Sequence, residues 1–160
     1  MFHITILTVG RLKERYLLEG VGEYLKRLSA YAKIDLYEVE DERFTENLSI
    51  AGQQKVKEKE GARLLHRLRA DSFLIALDAK GEMRSSEEMA GLLNKLALAG
   101  ESDITIVIGG SLGLSPKILG RADLSISFSR LTFPHQLFRL ILLEQLYRWF
   151  KINRGEPYHH

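Results

Sequence analysis

Ile104-Thr105-Ile106-Val107-Ile108-Gly109-Gly110-Ser111-Leu112-Gly113-Leu114-Ser115 is the stretch from which the fold is read. Its first five residues form an unbroken apolar and β-branched run with no polar alternation. Such a run reads as a strand covered on both faces, the habit of a parallel sheet flanked by helices. Three glycines follow, and Ser115-Pro116 then opens a short helix, with serine as N-cap and proline in the first helical position.

Outward from that unit, strands and helices alternate. Strands are expected at Ile4–Val9, Ile34–Val39, Ser72–Leu77 and Leu124–Phe128, besides Ile104–Ile108. Apolar spacing predicts helices over Glu14–Tyr31, Asn47–Arg69 and Ser85–Leu98, and a final one from Pro134 to about Ile152. Ser85 or Ser86 is a fitting N-cap for the third, with Glu87 and Glu88 in its first turn. Five alternations predict one α/β domain over residues 1–160, with a mostly parallel sheet of five or six strands and helices on both faces. Ligands of such sheets bind at the carboxyl ends of the strands, which directs attention to Asp78, Gly109 and Ser129.

Composition narrows the chemistry. The chain has no cysteine, which excludes disulfides, thiolate nucleophiles and zinc–thiolate sites. It starts without the basic and apolar segments of a signal peptide, and no apolar run reaches membrane-spanning length. A cytoplasmic location is the expectation. A net charge of +2 does not by itself point to nucleic acid.

Three loops and a tail carry the candidate chemistry. Gly109-Gly110-Ser111-Leu112-Gly113 lets backbone approach a ligand, but lacks the Lys-Ser/Thr of a phosphate-binding P-loop and reads equally as a tight turn. Leu77-Asp78-Ala79-Lys80-Gly81 is a strand end followed by a polar turn, either a pocket wall or a plain turn. Ser129 to Pro134 offers hydroxyls and backbone groups just before a helix N-terminus, with His135 in its first turn; Thr132 acting as an N-cap is the simpler reading. The final helix carries Glu144 within a broad apolar face, four residues before Arg148, and core packing or a dimer interface both account for that face. Lys55, Lys59, Arg63 and Arg67 lie on one helical stripe, suited to phosphates or simply to solvent.

Together these segments resemble the RlmH-type large-subunit ribosomal RNA methyltransferases of the SPOUT class. The resemblance rests on Val9-Gly10, Leu77-Asp78, Ile108-Gly109-Gly110 with Gly113-Leu114-Ser115, Leu131-Thr132-Phe133-Pro134-His135, Glu144-Gln145-Leu146-Tyr147-Arg148 and Pro157-Tyr158-His159, in that order along the chain. It implies a C-terminal trefoil knot, a homodimer, and S-adenosyl-L-methionine as cofactor, with no metal. It implies that Leu77, Gly110, Ser129, Arg130, Leu131, Thr132, Phe133 and Pro134 line the cofactor. The implied reaction methylates N3 of a pseudouridine in a 23S rRNA stem-loop on the assembled ribosome. His159 is then the first candidate for proton acceptor, with Tyr158 positioning it. Arg148, Arg154 or Arg139 would hold phosphate or developing negative charge. The chain ends in His160 where the family usually has Lys or Arg, so a fixed cation is missing there. Two other readings are a non-catalytic ribosome-binding or assembly factor, and a SPOUT enzyme acting on transfer RNA.

Overall fold

The computed structural model describes residues 1–160. Five parallel strands, β1 (Phe2–Val9), β2 (Ala32–Val39), β3 (Phe73–Met83), β4 (Asp103–Ile108) and β5 (Leu124–Ser127), form one sheet in the order β2-β1-β4-β3-β5. Five helices connect and cover it: α1 (Arg15–Leu28), α2 (Ile50–Arg67), α3 (Ser86–Leu98), α4 (Pro116–Arg121) and α5 (His135–Asn153). The α/β class and the parallel sheet agree with the sequence reading.

Alternation along β4 builds both cores. Ile104, Ile106 and Ile108 face α1, α3 and α5, where Leu17, Leu93, Leu142 and Leu146 meet them. Val107 faces the other way, with Leu7, Leu74, Leu64 of α2 and Ile118 of α4. At roughly 1.5–3 kcal/mol for each large apolar side chain buried, these two layers supply the main stabilising force. β2 lies at the edge, so its alternation gives only partial cover: Ile34 and Leu36 are half-buried, Val39 is buried, and Tyr37 stays exposed.

Local chemistry sets the helix ends. Ser85 caps α3 in a capping box: its hydroxyl accepts from the Glu88 N–H (3.1 Å) and the Glu88 carboxylate accepts from the Ser85 N–H (2.7 Å). Ser115 caps α4 by accepting from the Ile118 N–H, with Pro116 at its first turn. α2 begins at Ile50, later than the expected Asn47, because Ser49 accepts from the Gly52 N–H and starts the helix there. α1 ends at Leu28, short of Tyr31, because Ala32 already pairs with Phe2 in β2.

The main departure lies in β3. The strand was expected to end at Leu77, yet it resumes and reaches Met83. Leu77 pairs with Ile126, residues 78–81 loop out, and Glu82 then meets Ile126 again. Gly81 makes that return possible, since a Cβ there would stand 2.7 Å from the Ile126 backbone. The polar turn is therefore a detour within the strand, and it brings the N-terminus of α3 beside the end of β5.

Candidate active site

Leu77, where β3 breaks its register, lies beside the ends of β4 and β5, so Leu77, Gly109–Gly113 and Ser129–Pro134 share one edge. Leu77 is buried, Gly110 and Ser129 are half-buried, and Arg130, Leu131, Thr132 and Pro134 are exposed. Among the backbone amides from Ser129 to Phe133, only Leu131 donates within the chain, to Ser129 Oγ (2.9 Å). The loop thus offers open donors and carbonyls beside the exposed Leu131, a set suited to a heteroaromatic ring with a polar edge.

The glycines of the β4 loop build the tight turn that was one of their two expected readings. Gly109 is buried, and a Cβ there would lie 2.7 Å from the Gly113 carbonyl carbon. Gly113 holds φ +92° and donates its N–H to the Gly110 carbonyl oxygen, which closes the turn. The open side of Gly110 faces protein: a Cβ would stand 2.9 Å from Glu60 Oε1 and 3.2 Å from Val9 Cγ1. Glu60 comes from α2 and is 4% exposed. Its Oε2 accepts the Glu42 N–H (3.0 Å), while Oε1 has no partner. Burial pushes this carboxyl above the usual carboxylate range, and the Glu42 N–H opposes that shift.

Arg139 does not reach the edge as a phosphate or charge ligand. It is buried in α5, pairs with Glu38 and donates to the carbonyls of Val9 (2.9 Å) and Gly10 (2.7 Å). Those bonds engage both terminal nitrogens, leave the buried Nε without a partner, and tie α5 to the ends of β1 and β2. His135 lies near this group, and burial, followed by the Arg139 charge, lowers its pKa below the ordinary imidazole value.

The tail folds back over α5 and α3. Tyr158 shares hydrogen bonds with Tyr24 Oη of α1 (3.0 Å) and Glu144 Oε1 (3.1 Å), and packs edge-on against Tyr147. Burial, then the Tyr24 bond and the Glu144 charge, raises its phenol pKa and keeps the hydroxyl protonated. Glu144 also accepts from Arg148 Nε (3.1 Å) and Nη2 (2.5 Å), which raises the guanidinium pKa. Arg148 lies over the Tyr158 ring, 4.8 Å from its centroid, and places Nη1 3.0 Å from His159 Nδ1. The other ring nitrogen, Nε2, is 2.7 Å from Glu87 Oε1. His159, Tyr158 and Arg148 therefore come together. Arg154 does not join them: it is exposed and stacks on Tyr31, 4.6 Å from the ring centroid. Its neighbours are the Lys151–Glu156 pair and the Tyr31 hydroxyl.

A cavity of about 310 Å³ joins the tail network to the cofactor-type loop. Ser127, Phe128 and Phe133 line one side, and Ser86, Gln145 and Trp149 the other. Ser86 donates to Gln145 Oε1 (2.7 Å), and Gln145 donates to Glu144 Oε2 (2.9 Å), so the network borders the cavity directly. Sequence reading missed Glu87, Gln145, Tyr24 and Glu60 as members of this site. Glu87 reads locally as a helix-dipole residue, and nothing near it announces a partner 72 positions later. The one available signal for Glu60 was a carboxylate in an otherwise apolar position, one step before Gly61.

Comparison with known proteins identifies the family. The family model described as "Predicted SPOUT methyltransferase" matches residues 2–159. The chain is 71% identical, over its whole length and that of the relative, to a Pelotomaculum thermopropionicum protein named ribosomal RNA large subunit methyltransferase H. It is 59% identical to a Listeria monocytogenes protein of the same name, over 98% of this chain and 99% of the relative. A probable methyltransferase of Bordetella pertussis, known from its crystal structure, superposes with a TM-score of 0.53 over 92% of this chain and 95% of that one. At 14% identity that likeness speaks to the fold alone. With its whole length matched at such identity, the chain belongs to the SPOUT methyltransferases, and within them to the ribosomal RNA large subunit methyltransferase H family.

Proposed function

We propose that this protein methylates large-subunit ribosomal RNA, placing a methyl group from S-adenosyl-L-methionine on N3 of a pseudouridine in a 23S rRNA stem-loop. In this reading it acts on the assembled ribosome in the cytoplasm, as a homodimer of single-domain chains, without a metal ion. The observation that carries it is the 310 Å³ cavity lined by Ser127, Phe128 and Phe133 on one side and by Ser86 and Gln145, of the network that holds the histidine tail, on the other. The names of the relatives support the ribosomal substrate. The knot implied by the family belongs to the reading; β5 returning beside β3 before α5 crosses back over α1 and α3 supports it. Exposed Tyr16 and Leu18 on α1 and exposed Leu131 support a second subunit.

Leu77, Gly110 and the run Ser129-Arg130-Leu131-Thr132-Phe133-Pro134 would hold the cofactor, largely through backbone groups and apolar contact. When bound, that group supplies a methyl carbon already activated by a sulfonium, so the protein's task is positioning and proton removal. His159 takes the N3 proton. Tyr158, fixed by Tyr24 and Glu144, sets the height of the tail. Arg148, held by Glu144, offsets negative charge on the target ring as the proton leaves. Arg154, exposed just beyond the C-terminus of α5, would take a phosphate of the RNA.

Isothermal titration with S-adenosyl-L-methionine tests the cofactor assignment. The native protein should bind saturably. Gly110→Arg, whose side chain would run into Glu60, and Thr132→Arg, on the exposed loop, should lose binding at least 10-fold while keeping the native circular dichroism. Native affinity in a folded Thr132→Arg protein contradicts the assignment of that loop.

A further inference from the structure

Five hydrogen bonds link six side chains in series, Ser86, Gln145, Glu144, Arg148, His159 and Glu87, and only the α3 main chain between Ser86 and Glu87 completes the ring. The ring fixes donors and acceptors in turn. A guanidinium has no lone pair to offer, so Arg148 Nη1 donates and His159 Nδ1 accepts (3.0 Å). An imidazole that accepts at Nδ1 is neutral there and carries its proton on Nε2. That proton points at Glu87 Oε1, 2.7 Å away. The carboxylate is therefore the acceptor, and the hydrogen bond from His159, before any other cause, lowers its pKa.

We propose that Glu87 is a positioning residue for methyl transfer: by accepting the Nε2 proton of His159, it holds the imidazole in the tautomer whose lone pair lies on Nδ1. The inference rests on His159 as base. In the resting chain Arg148 covers that lone pair, and the N3–H of the target ring replaces the guanidinium as donor. The N3 proton passes to Nδ1 while the N3 electron pair forms the bond to the methyl carbon. The carbon–sulfur pair stays on sulfur, and the positive charge moves from sulfonium to imidazolium. Glu87 then faces a cation, which a carboxylate stabilises and an amide does not.

The groups facing His159 are Glu87 from α3, Arg148 and Glu144 from α5, and Tyr158 on the tail itself, with Tyr24 and Arg27 of α1 behind Tyr158. Among the partners of Glu87, the imidazole is the closest and the main cause of its lowered pKa, ahead of its own backbone and the Ser85 hydroxyl. Its main chain belongs to an α3 end capped independently by Ser85 and Glu88. Removing the carboxylate therefore leaves the helix terminus intact.

Two measurements on the full-length protein decide the matter. The first is ¹⁵N–¹H correlation of the imidazole nitrogens in the native protein, Glu87→Gln and Glu87→Ala. The native protein should show His159 as the Nε2–H form, Glu87→Gln should keep it, and Glu87→Ala should show both tautomers. The second is the pH profile of kcat for methyl transfer to ribosomes lacking this methyl group. Glu87→Ala should lose about 10- to 100-fold in kcat with unchanged KM for ribosomes. In Glu87→Gln the loss should be smaller, and the acid limb should move to lower pH because the partner of the imidazolium is no longer an anion. An unchanged tautomer or an unchanged kcat in Glu87→Ala, with His159→Ala inactive, overturns the role of Glu87. Full activity in His159→Ala overturns the base assignment itself.

Discussion

Arg139 reaches no solvent, and every acceptor it uses is built in: Glu38 and two backbone carbonyls at the end of β1. Removing one member of a buried pair leaves the others without compensation. Arg139→Met should cost about 3 kcal/mol, read from the shift of the urea midpoint; an unchanged midpoint would show that water replaces the guanidinium. Glu60 makes the opposite case, a carboxyl held where its ionised form is disfavoured. Its folded pKa lies above the unfolded value, so the stability it contributes is fully present below about pH 4.5 and is lost as pH rises through the folded pKa. Asp41 and Glu42 push in the same direction as burial, and Arg63 and the Glu42 N–H against it. Relative to Glu60→Gln, the native protein should therefore weaken steadily as pH rises above 4.5. Urea midpoints that run parallel for the two proteins across pH 4.5–8 would contradict this. Both residues escaped sequence reading for one reason. A charged residue on a helix reads as exposed until its neighbours from distant strands are known, which leaves Arg139 among the expected ligands of phosphate or negative charge.

Elements were more legible than side-chain partners, because their signals are local. Ser85 with Glu88, and Ser115 with Pro116, announce the starts of α3 and α4 within four residues, and both caps form. Ser85→Ala should lower stability by about 1 kcal/mol, measured by thermal or urea unfolding. The uninterrupted Ile104–Ile108 run placed β4 in the sheet interior, between β1 and β3. The extension of β3 was not legible. Asp78-Ala79-Lys80-Gly81 has the composition of a turn, and the return of the strand depends on β5, more than 40 residues later. Gly81→Ala tests that arrangement: a Cβ 2.7 Å from the Ile126 backbone forces β3 and β5 apart. The expected loss is about 1–3 kcal/mol, with weaker S-adenosyl-L-methionine binding because Ser127 and the following loop shift with β5. A Gly81→Ala protein with native stability would mean that the detour relaxes freely.

At the scale of the whole molecule, one edge of the sheet gathers the three loops, and the last seven residues return to it across α5. The sequence showed the loops as glycine- and hydroxyl-rich segments after strands, and the family resemblance supplied their joint meaning. It also named Tyr158, His159 and Arg148 together, which the fold places in contact. Arg154 was named with them, yet it lies on Tyr31, because the α5 C-terminus turns it toward the α1–β2 junction. Spacing along a chain fixes which face of a helix a residue occupies; it does not say what the tail beyond the helix will cover. The central claim, methyl transfer to large-subunit ribosomal RNA, is tested most directly by incubating the protein with tritiated S-adenosyl-L-methionine and ribosomes lacking the modification, then mapping the label. The account predicts one methyl group per ribosome, confined to N3 of one pseudouridine in a 23S rRNA stem-loop. Label in transfer RNA alone, or none in ribosomes under conditions where the cofactor binds, would contradict it.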